Sequence, residues 1–127
     1  MSGDTFHFPT KQDLLVAIMK RLRERLAEEA GRRDLAGFFA YAVAQAAARR
    51  IVVDIRLEDA FGPLEETVAG LLRRAHDAGD VAPAVELPEV MALLVSLCQG
   101  ALRGRWDEEL QARTLAVVLG GLASPRG

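Results

Sequence analysis

Apolar residues recur every three or four positions through each long segment of this chain, and none of these segments shows the strict alternation of a half-buried strand. Thr10 and Asp13 are spaced as a capping box, in which a hydroxyl and a carboxylate satisfy the free amide groups at a helix start. An apolar stripe follows at Leu14, Leu15, Ile18, Met19, Leu22 and Leu26. Gly31 is a typical helix stop, so the sequence predicts a first helix over residues 10–30.

Five further helices are predicted by the same periodicity. Their expected ranges are 34–50, 51–60, 63–78, 88–105 and 107–122. The range 51–60 is ambiguous, because Ile51, Val52 and Val53 have a strand-like composition within a helical neighbourhood. We predict a short helix there. The predicted fold is all-α, a six-helix orthogonal or antiparallel bundle over residues 10–123, followed by a flexible tail at 124–127.

Length and composition exclude several classes of protein. The 127 residues are enough for one domain with its own core, and 16 basic against 18 acidic residues argue against a free-standing nucleic-acid binder. A single cysteine, Cys98, excludes an internal disulfide and is typical of the reducing cytoplasm. The longest apolar stretch, 90–98, is far too short to span a membrane, and we see no signal peptide.

The segment Thr5-Phe6-His7-Phe8-Pro9-Thr10-Lys11-Gln12-Asp13-Leu14-Leu15 carries the most specific motif. It resembles the passage from the recognition helix into the next helix of TetR-family transcriptional repressors. In that family an aromatic-His-Phe run is followed by Pro, a small polar cap, Lys, an acidic residue and Leu-Leu. Phe6 stands where the family more often has Tyr. The order of the predicted helices is also similar to the order that follows the DNA-binding headpiece in the TetR C-terminal domain.

The resemblance implies a bacterial, cytoplasmic regulator and a division of the chain. Residues 1–9 would be a remnant of the recognition helix and hinge, and 10–123 the helical effector-binding and dimerisation domain. His7 and Lys11 match family positions at which the side chain can contact DNA phosphate. Operator DNA is therefore an expected partner only if a headpiece is present. Residues 1–127 alone are expected not to bind DNA specifically, because phosphate contacts position a protein without reading sequence.

The last two predicted helices are more apolar than one packed face requires. A symmetric dimer in which these helices pair with their counterparts would cover the excess, and the family dimerises in this way. The predicted interface residues are Val95, Gln99, Leu102, Leu115, Val118, Leu119 and Leu122. Gly100, Gly104, Gly120 and Gly121 would allow close helix approach. The alternative is that both helices are central in the core and the glycines mark helix ends.

A small-molecule pocket between the first, second, fourth and fifth predicted helices is the main functional expectation. Aromatic, methionine and aliphatic side chains would form its walls, and Tyr41, Gln45 and Thr67 would supply hydrogen bonds. The predicted lining is Met19, Leu22, Phe38, Phe39, Tyr41, Gln45, Thr67, Val68, Leu71, Met91 and Cys98. An apolar or amphipathic effector is the expected ligand. The alternative for each residue is an ordinary place in the core, with Tyr41 and Gln45 facing water.

Catalysis and metal binding are not predicted. The sequence has two histidines and no nucleophile motif, phosphate loop or metal-ligand spacing, so no cofactor is expected. His76 is read as a solvated residue near a helix C-terminus. The function predicted is that of a ligand-responsive TetR-family repressor, represented by its effector-binding and dimerisation domain. The alternative is a headless relative that acts by ligand binding or mixed dimerisation without binding DNA.

Overall fold

The computed structural model describes residues 10–48 and 61–123. These residues form five α-helices, and a 3-10 turn at Gly62–Leu64 leads into the third. The helices are α1 Lys11–Ala30, α2 Leu35–Ala48, α3 Glu65–Ala78, α4 Leu87–Gly104 and α5 Glu108–Leu122. No strand occurs in the described ranges, so the all-α prediction is confirmed. The short helix predicted at 51–60 lies outside the described residues, as do the remnant at 1–9 and the tail at 124–127, and a count of six helices is not confirmed.

Local capping interactions fix most helix ends. At the start of α1 the Thr10 hydroxyl accepts from the Asp13 amide at 3.1 Å, and the Asp13 carboxylate accepts from the Thr10 amide at 3.2 Å, which confirms the predicted capping box. Asp34 accepts from the amide of Gly37 at 2.8 Å at the start of α2. Asp107 caps α5 in the same way through the amide of Leu110, also at 2.8 Å.

Helix α2 is the centre of the bundle. It contacts each of the other four described helices. Its sequence from Leu35 to Ala48 contains no charged residue; its large apolar side chains face the other helices, whereas Ala36, Ala40 and Ala44 form an exposed side. The side chains of Phe38, Phe39 and Val43 are fully buried as a result.

Burial on α1 is confined to its second half. The buried residues are Leu22, Leu26 and Ala30, whereas Leu14 and Val16 are 50% and 60% exposed. The predicted apolar stripe therefore meets the described core only from about Met19 onward. A helix of 20 residues is about 30 Å long, so its first half extends past the part of the bundle that buries the second.

The loop between α3 and α4 is tied to two helices. The ring of His76, half-buried near the end of α3, donates its Nε2–H to the carbonyl of Val85 at 3.1 Å. The prediction of a solvated His76 was therefore wrong, because the loop folds back over the helix end. The amide of Ala82 donates to the carbonyl of Leu122 at 2.8 Å, which joins this loop to the end of α5.

Candidate functional site

Most of the predicted pocket side chains meet in one interior. Leu22, Phe38, Phe39, Val68, Leu71 and Cys98 are buried members of a single continuous core. Met19, Tyr41 and Met91 are partly buried and pack against that core, and Gln45 is half-buried. Thr67 is exposed. The structure thus brings the apolar part of the predicted lining together, whereas Thr67 lies on the outer side of α3.

Cys98 lies at the centre of this interior and is an apolar wall residue in its chemistry. The side chain is fully buried on α4. Burial disfavours the thiolate and raises the pKa of the thiol from 9.0 to about 12. The thiol therefore stays neutral at physiological pH and is not a nucleophile.

Tyr41 lies at the edge of the interior, and a guanidinium group lies over its ring. The guanidinium of Arg33 lies 4.9 Å from the centre of the Tyr41 ring, a distance at which a cation is attracted to the ring face. Arg33 is held by Glu29, whose carboxylate accepts from Arg33 Nε at 2.7 Å. Arg33, in the turn between α1 and α2, therefore packs over the ring of Tyr41. Helical periodicity did not predict this contact, because Arg33 lies outside the helix that carries Tyr41.

A cleft that the sequence did not predict lies where three helix ends meet. It has a volume of about 280 Å³ and lies among the start of α2, the end of α3 and the end of α5. Leu35, Val81, Leu119 and Leu122 give it apolar walls, and the carboxylates of Asp34 and Asp80 lie at its rim. A second cleft of about 300 Å³, lined also by Arg33 and Arg74, shares Asp34 and Asp80 with it. Local sequence patterns held no signal for either cleft, since both depend on how distant helix ends converge.

The outer face of α5 is uncharged from Thr114 to Ala123. The predicted interface residues of this helix lie on its other side: Leu115 and Leu122 are buried, and Val118 and Leu119 are half-buried against the core. The residues of α5 that reach solvent within this range are Ala116, Val117, Gly120 and Gly121, with Val117 76% exposed; Leu110, one turn before the range, is also exposed. Among residues 10–48 and 61–123, and apart from the backbone of α5 itself, no atom lies within 4 Å of a Cβ added at either glycine.

Helix α4 also has an uncharged outer face. No charged residue occurs between Glu89 and Arg103, and Ala92 and Ser96 are exposed there. Of the predicted interface residues on α4, Val95 and Gln99 are half-buried and Leu102 is buried in the core. The interpretation of Gly100 and Gly104 as positions for close approach of a second chain needs correction, because both contact the ring of Trp106 in the same chain.

Of the two residues predicted to contact DNA phosphate, only one lies within the described residues. His7 lies outside the described residues, and Lys11 is exposed in the first turn of α1. Within residues 10–48 and 61–123, no three His, Cys, Asp or Glu side chains are grouped so that they could hold a metal ion. The helices of the same ranges include none with the length and apolar character of a membrane span.

The described residues thus form an all-helical bundle around one continuous apolar core. A family model described as the C-terminal domain of SbtR-like transcriptional regulators, one of the TetR C-terminal families, matches residues 17–124. The chain belongs to this family of TetR-type regulator domains. No curated protein and no solved structure matches the chain significantly.

Proposed function

We propose that this chain is the effector-binding and dimerisation domain of a ligand-responsive TetR-family repressor that works in the bacterial cytoplasm and catalyses no reaction. The family match over residues 17–124 supports a role in transcriptional regulation. The single observation that carries the ligand-binding part is the apolar interior to which α1, α2, α3 and α4 all contribute side chains.

The proposed effector is an apolar or amphipathic small molecule. The buried side chains of the interior offer it no charge, and Tyr41 and Gln45 are polar groups at its border. The buried members are Leu22, Phe38, Phe39, Val68, Leu71 and Cys98. Met19 and Met91 are half-buried, and the flexible methionine side chain can repack around an incoming ligand at low cost. Entry beside these two methionines would leave the fully buried aromatic residues as the floor of the site.

Helix α1 is the element through which such a ligand would act. Met19 and Leu22 belong to α1, and the first half of that helix extends beyond the buried part. A ligand that displaces these side chains would tilt α1, and the motion would grow with distance along the helix. In the complete regulator this tilt would change the spacing of two DNA-binding headpieces relative to successive major grooves.

The proposed dimer uses the uncharged outer faces of α4 and α5. Exposed apolar side chains such as Leu110 and Val117, together with the half-buried Val95 and Gln99, would be covered by a second chain. Light scattering at micromolar concentration is expected to give twice the 13.8 kDa mass of one chain. A monomer mass under these conditions would rule out the dimer.

A thermal-shift screen with apolar and amphipathic compounds tests the ligand site. A compound that binds the interior should raise the melting temperature of the wild-type chain and lose affinity in Met91→Gln. Ala36→Gln is the matched variant, because Ala36 is exposed and lines the cleft at the helix ends. Loss of affinity in Ala36→Gln alone would place the ligand in that cleft and contradict the proposed interior site.

A further inference from the structure

The single tryptophan of the chain lies in the turn between α4 and α5 and packs directly on the backbone of α4. A Cβ atom added to Gly100 would lie 2.9 Å from Cζ2 of Trp106, and one added to Gly104 would lie 2.8 Å from its Nε1. Atoms of a rigid indole ring cannot move aside as the end of a flexible side chain can. The ring of Trp106 therefore fits against α4 only because positions 100 and 104 carry no side chain. We call Trp106, Gly100 and Gly104 together the Trp106 seat.

Hydrogen bonds from both helices hold the backbone of Trp106. Its amide donates to the carbonyl of Ala101 in α4 at 3.2 Å, and its carbonyl accepts from Nε2 of Gln111 in α5 at 3.0 Å. Arg105, just before it, has a φ of 52°, a left-handed conformation that turns the chain sharply at the end of α4. The backbone of Trp106 is thus hydrogen-bonded to α4 through its amide and to α5 through its carbonyl.

Helix α5 packs on α2, and few described contacts join it directly to α4. Its main helix contact is with α2 rather than with α4, although α4 and α5 are consecutive. Leu115 and Leu122 are its buried residues. At its far end the carbonyl of Leu122 accepts from the amide of Ala82. Near its start, the two hydrogen bonds of the Trp106 backbone and the packing of its ring on Gly100 and Gly104 are the described contacts that tie α5 to α4.

We propose that Trp106, through its seat on Gly100 and Gly104, is the positioning residue that sets α5 relative to α4 and so shapes the uncharged surface used for dimerisation. This inference rests on the proposed dimer. It adds one claim to the proposed dimer: Trp106 affects the dimer dissociation constant without needing to contact the second chain.

The first test concerns the seat and does not depend on dimerisation. Gly100→Ala and Gly70→Ala both exchange a mid-helix glycine for a better helix former, but an added Cβ at Gly70 meets only the end of the Arg73 side chain, at 3.8 Å. Gly70→Ala is expected to raise the melting temperature of a monomeric background, such as Val117→Arg, by about 2–5 °C. Gly100→Ala is expected to lower the melting temperature of the same background. In a variant that already carries Trp106→Ala, Gly100→Ala is expected to raise the melting temperature. If Gly100→Ala and Gly70→Ala raised the melting temperature equally with Trp106 present, the close contact between Trp106 and Gly100 would be contradicted.

The second test measures the dimer dissociation constant by sedimentation. Trp106→Ala is expected to raise this constant at least about tenfold, and Trp106→Phe, which keeps a flat ring, should recover part of the loss. Leu26→Ala is the control for lost stability, because Leu26 lies in the core on α1, whose helix contacts are with α2 and α3. An unchanged dissociation constant in Trp106→Ala would overturn the inference and leave the dimer standing. A monomeric wild type would overturn the dimer and with it the control of dimerisation by Trp106, while the first test would still decide whether the seat exists.

Discussion

Phe38 and Phe39 are neighbours in sequence, yet both side chains are fully buried. Successive residues on a helix point about 100° apart, so burying both requires partners on two sides of α2. The contacts of α2 with four helices supply these partners. The sequence predicted both residues as lining of an apolar interior, but it could not show that α2 packs against other helices on two sides.

Truncation of Phe38 should be among the most damaging single changes in the chain. Phe38→Ala removes a fully buried ring from the first turn of α2 and is expected to lower the free energy of unfolding by about 3–5 kcal/mol. Urea denaturation followed by circular dichroism measures the loss. Phe38→Leu, which leaves a smaller cavity, should lose clearly less. Equal losses for the two variants would contradict a closely packed environment at this ring.

The buried thiol of Cys98 makes stability depend on alkaline pH. Its pKa is about 12 in the folded chain and 9.0 for an ordinary thiol, so above about pH 9 the unfolded chain releases a proton that the folded chain keeps. The stabilisation is therefore complete below pH 9 and is lost as pH rises toward 12. The slope approaches roughly 1.4 kcal/mol per pH unit within this window. The difference in unfolding free energy between wild type and Cys98→Ala, measured at several pH values, should shrink with this slope; a constant difference would contradict it.

Two glycines that end helices should respond differently to alanine. Gly79, after α3, has a φ of 78°, whereas Gly31, after α1, has a φ of −70°, which suits any residue. Gly79→Ala is expected to lower the free energy of unfolding by about 1–2 kcal/mol, because a Cβ is strained in the left-handed region. Gly31→Ala should be nearly neutral. Chemical denaturation of both variants gives the comparison, and similar losses would show that the left-handed conformation is not what Gly79 supplies.

At the scale of elements, helix ends were predictable and helix faces only partly so. Thr10, Asp34, Asp107 and Gly79 act within a few residues of themselves, so their effect is visible in the sequence. The side of α5 that faces the core was not, because that helix is apolar nearly all round and its stripe does not distinguish Leu115 from Val117. Only packing against α2 makes the former 7% and the latter 76% exposed.

The outer face of α5 provides a sharp test of the dimer at this scale. Val117→Arg places a charge on an exposed face, so it should preserve the helical fold and dissociate the dimer, with the dissociation constant rising about a hundredfold or more. Ala27→Arg, an exposed position on α1, is the control and should leave the dimer intact. Sedimentation and circular dichroism together separate loss of pairing from loss of fold. A Val117→Arg variant that remains dimeric would contradict a dimer formed through this face of α5.

For the whole molecule, the sequence predicted the fold class and the composition of the interior, but not its geometry. The apolar part of the expected lining does converge, because periodic apolar residues on several helices have one shared core to enter. Thr67 was predicted to line the interior but is exposed. Its position between Glu66 and Val68 is at the border of the apolar stripe, where the sequence pattern does not decide which way a side chain faces. The clefts at the helix ends and the Trp106 seat were missed because they join residues that no local pattern connects.

A bound effector should stabilise the whole bundle rather than one helix. An effector held at one hundred times its dissociation constant is expected to add about 2.7 kcal/mol to the free energy of unfolding. Because α2 contacts every other described helix, this gain should appear as slower amide exchange in α1, α3 and α4 together. Protection confined to the start of α2 and the ends of α3 and α5 would instead indicate a ligand in the cleft lined by Leu35, Leu119 and Leu122.

The place of Trp106 also has an optical consequence. The chain has one tryptophan and one tyrosine, so its long-wavelength emission comes from the α4–α5 turn alone. The indole is half-buried against two glycine backbones, and its emission wavelength therefore depends on whether water reaches that seat. Dilution, effector addition and denaturant can each be followed through this natural fluorophore without an attached dye. A spectral change that precedes loss of helicity would report motion of the turn itself.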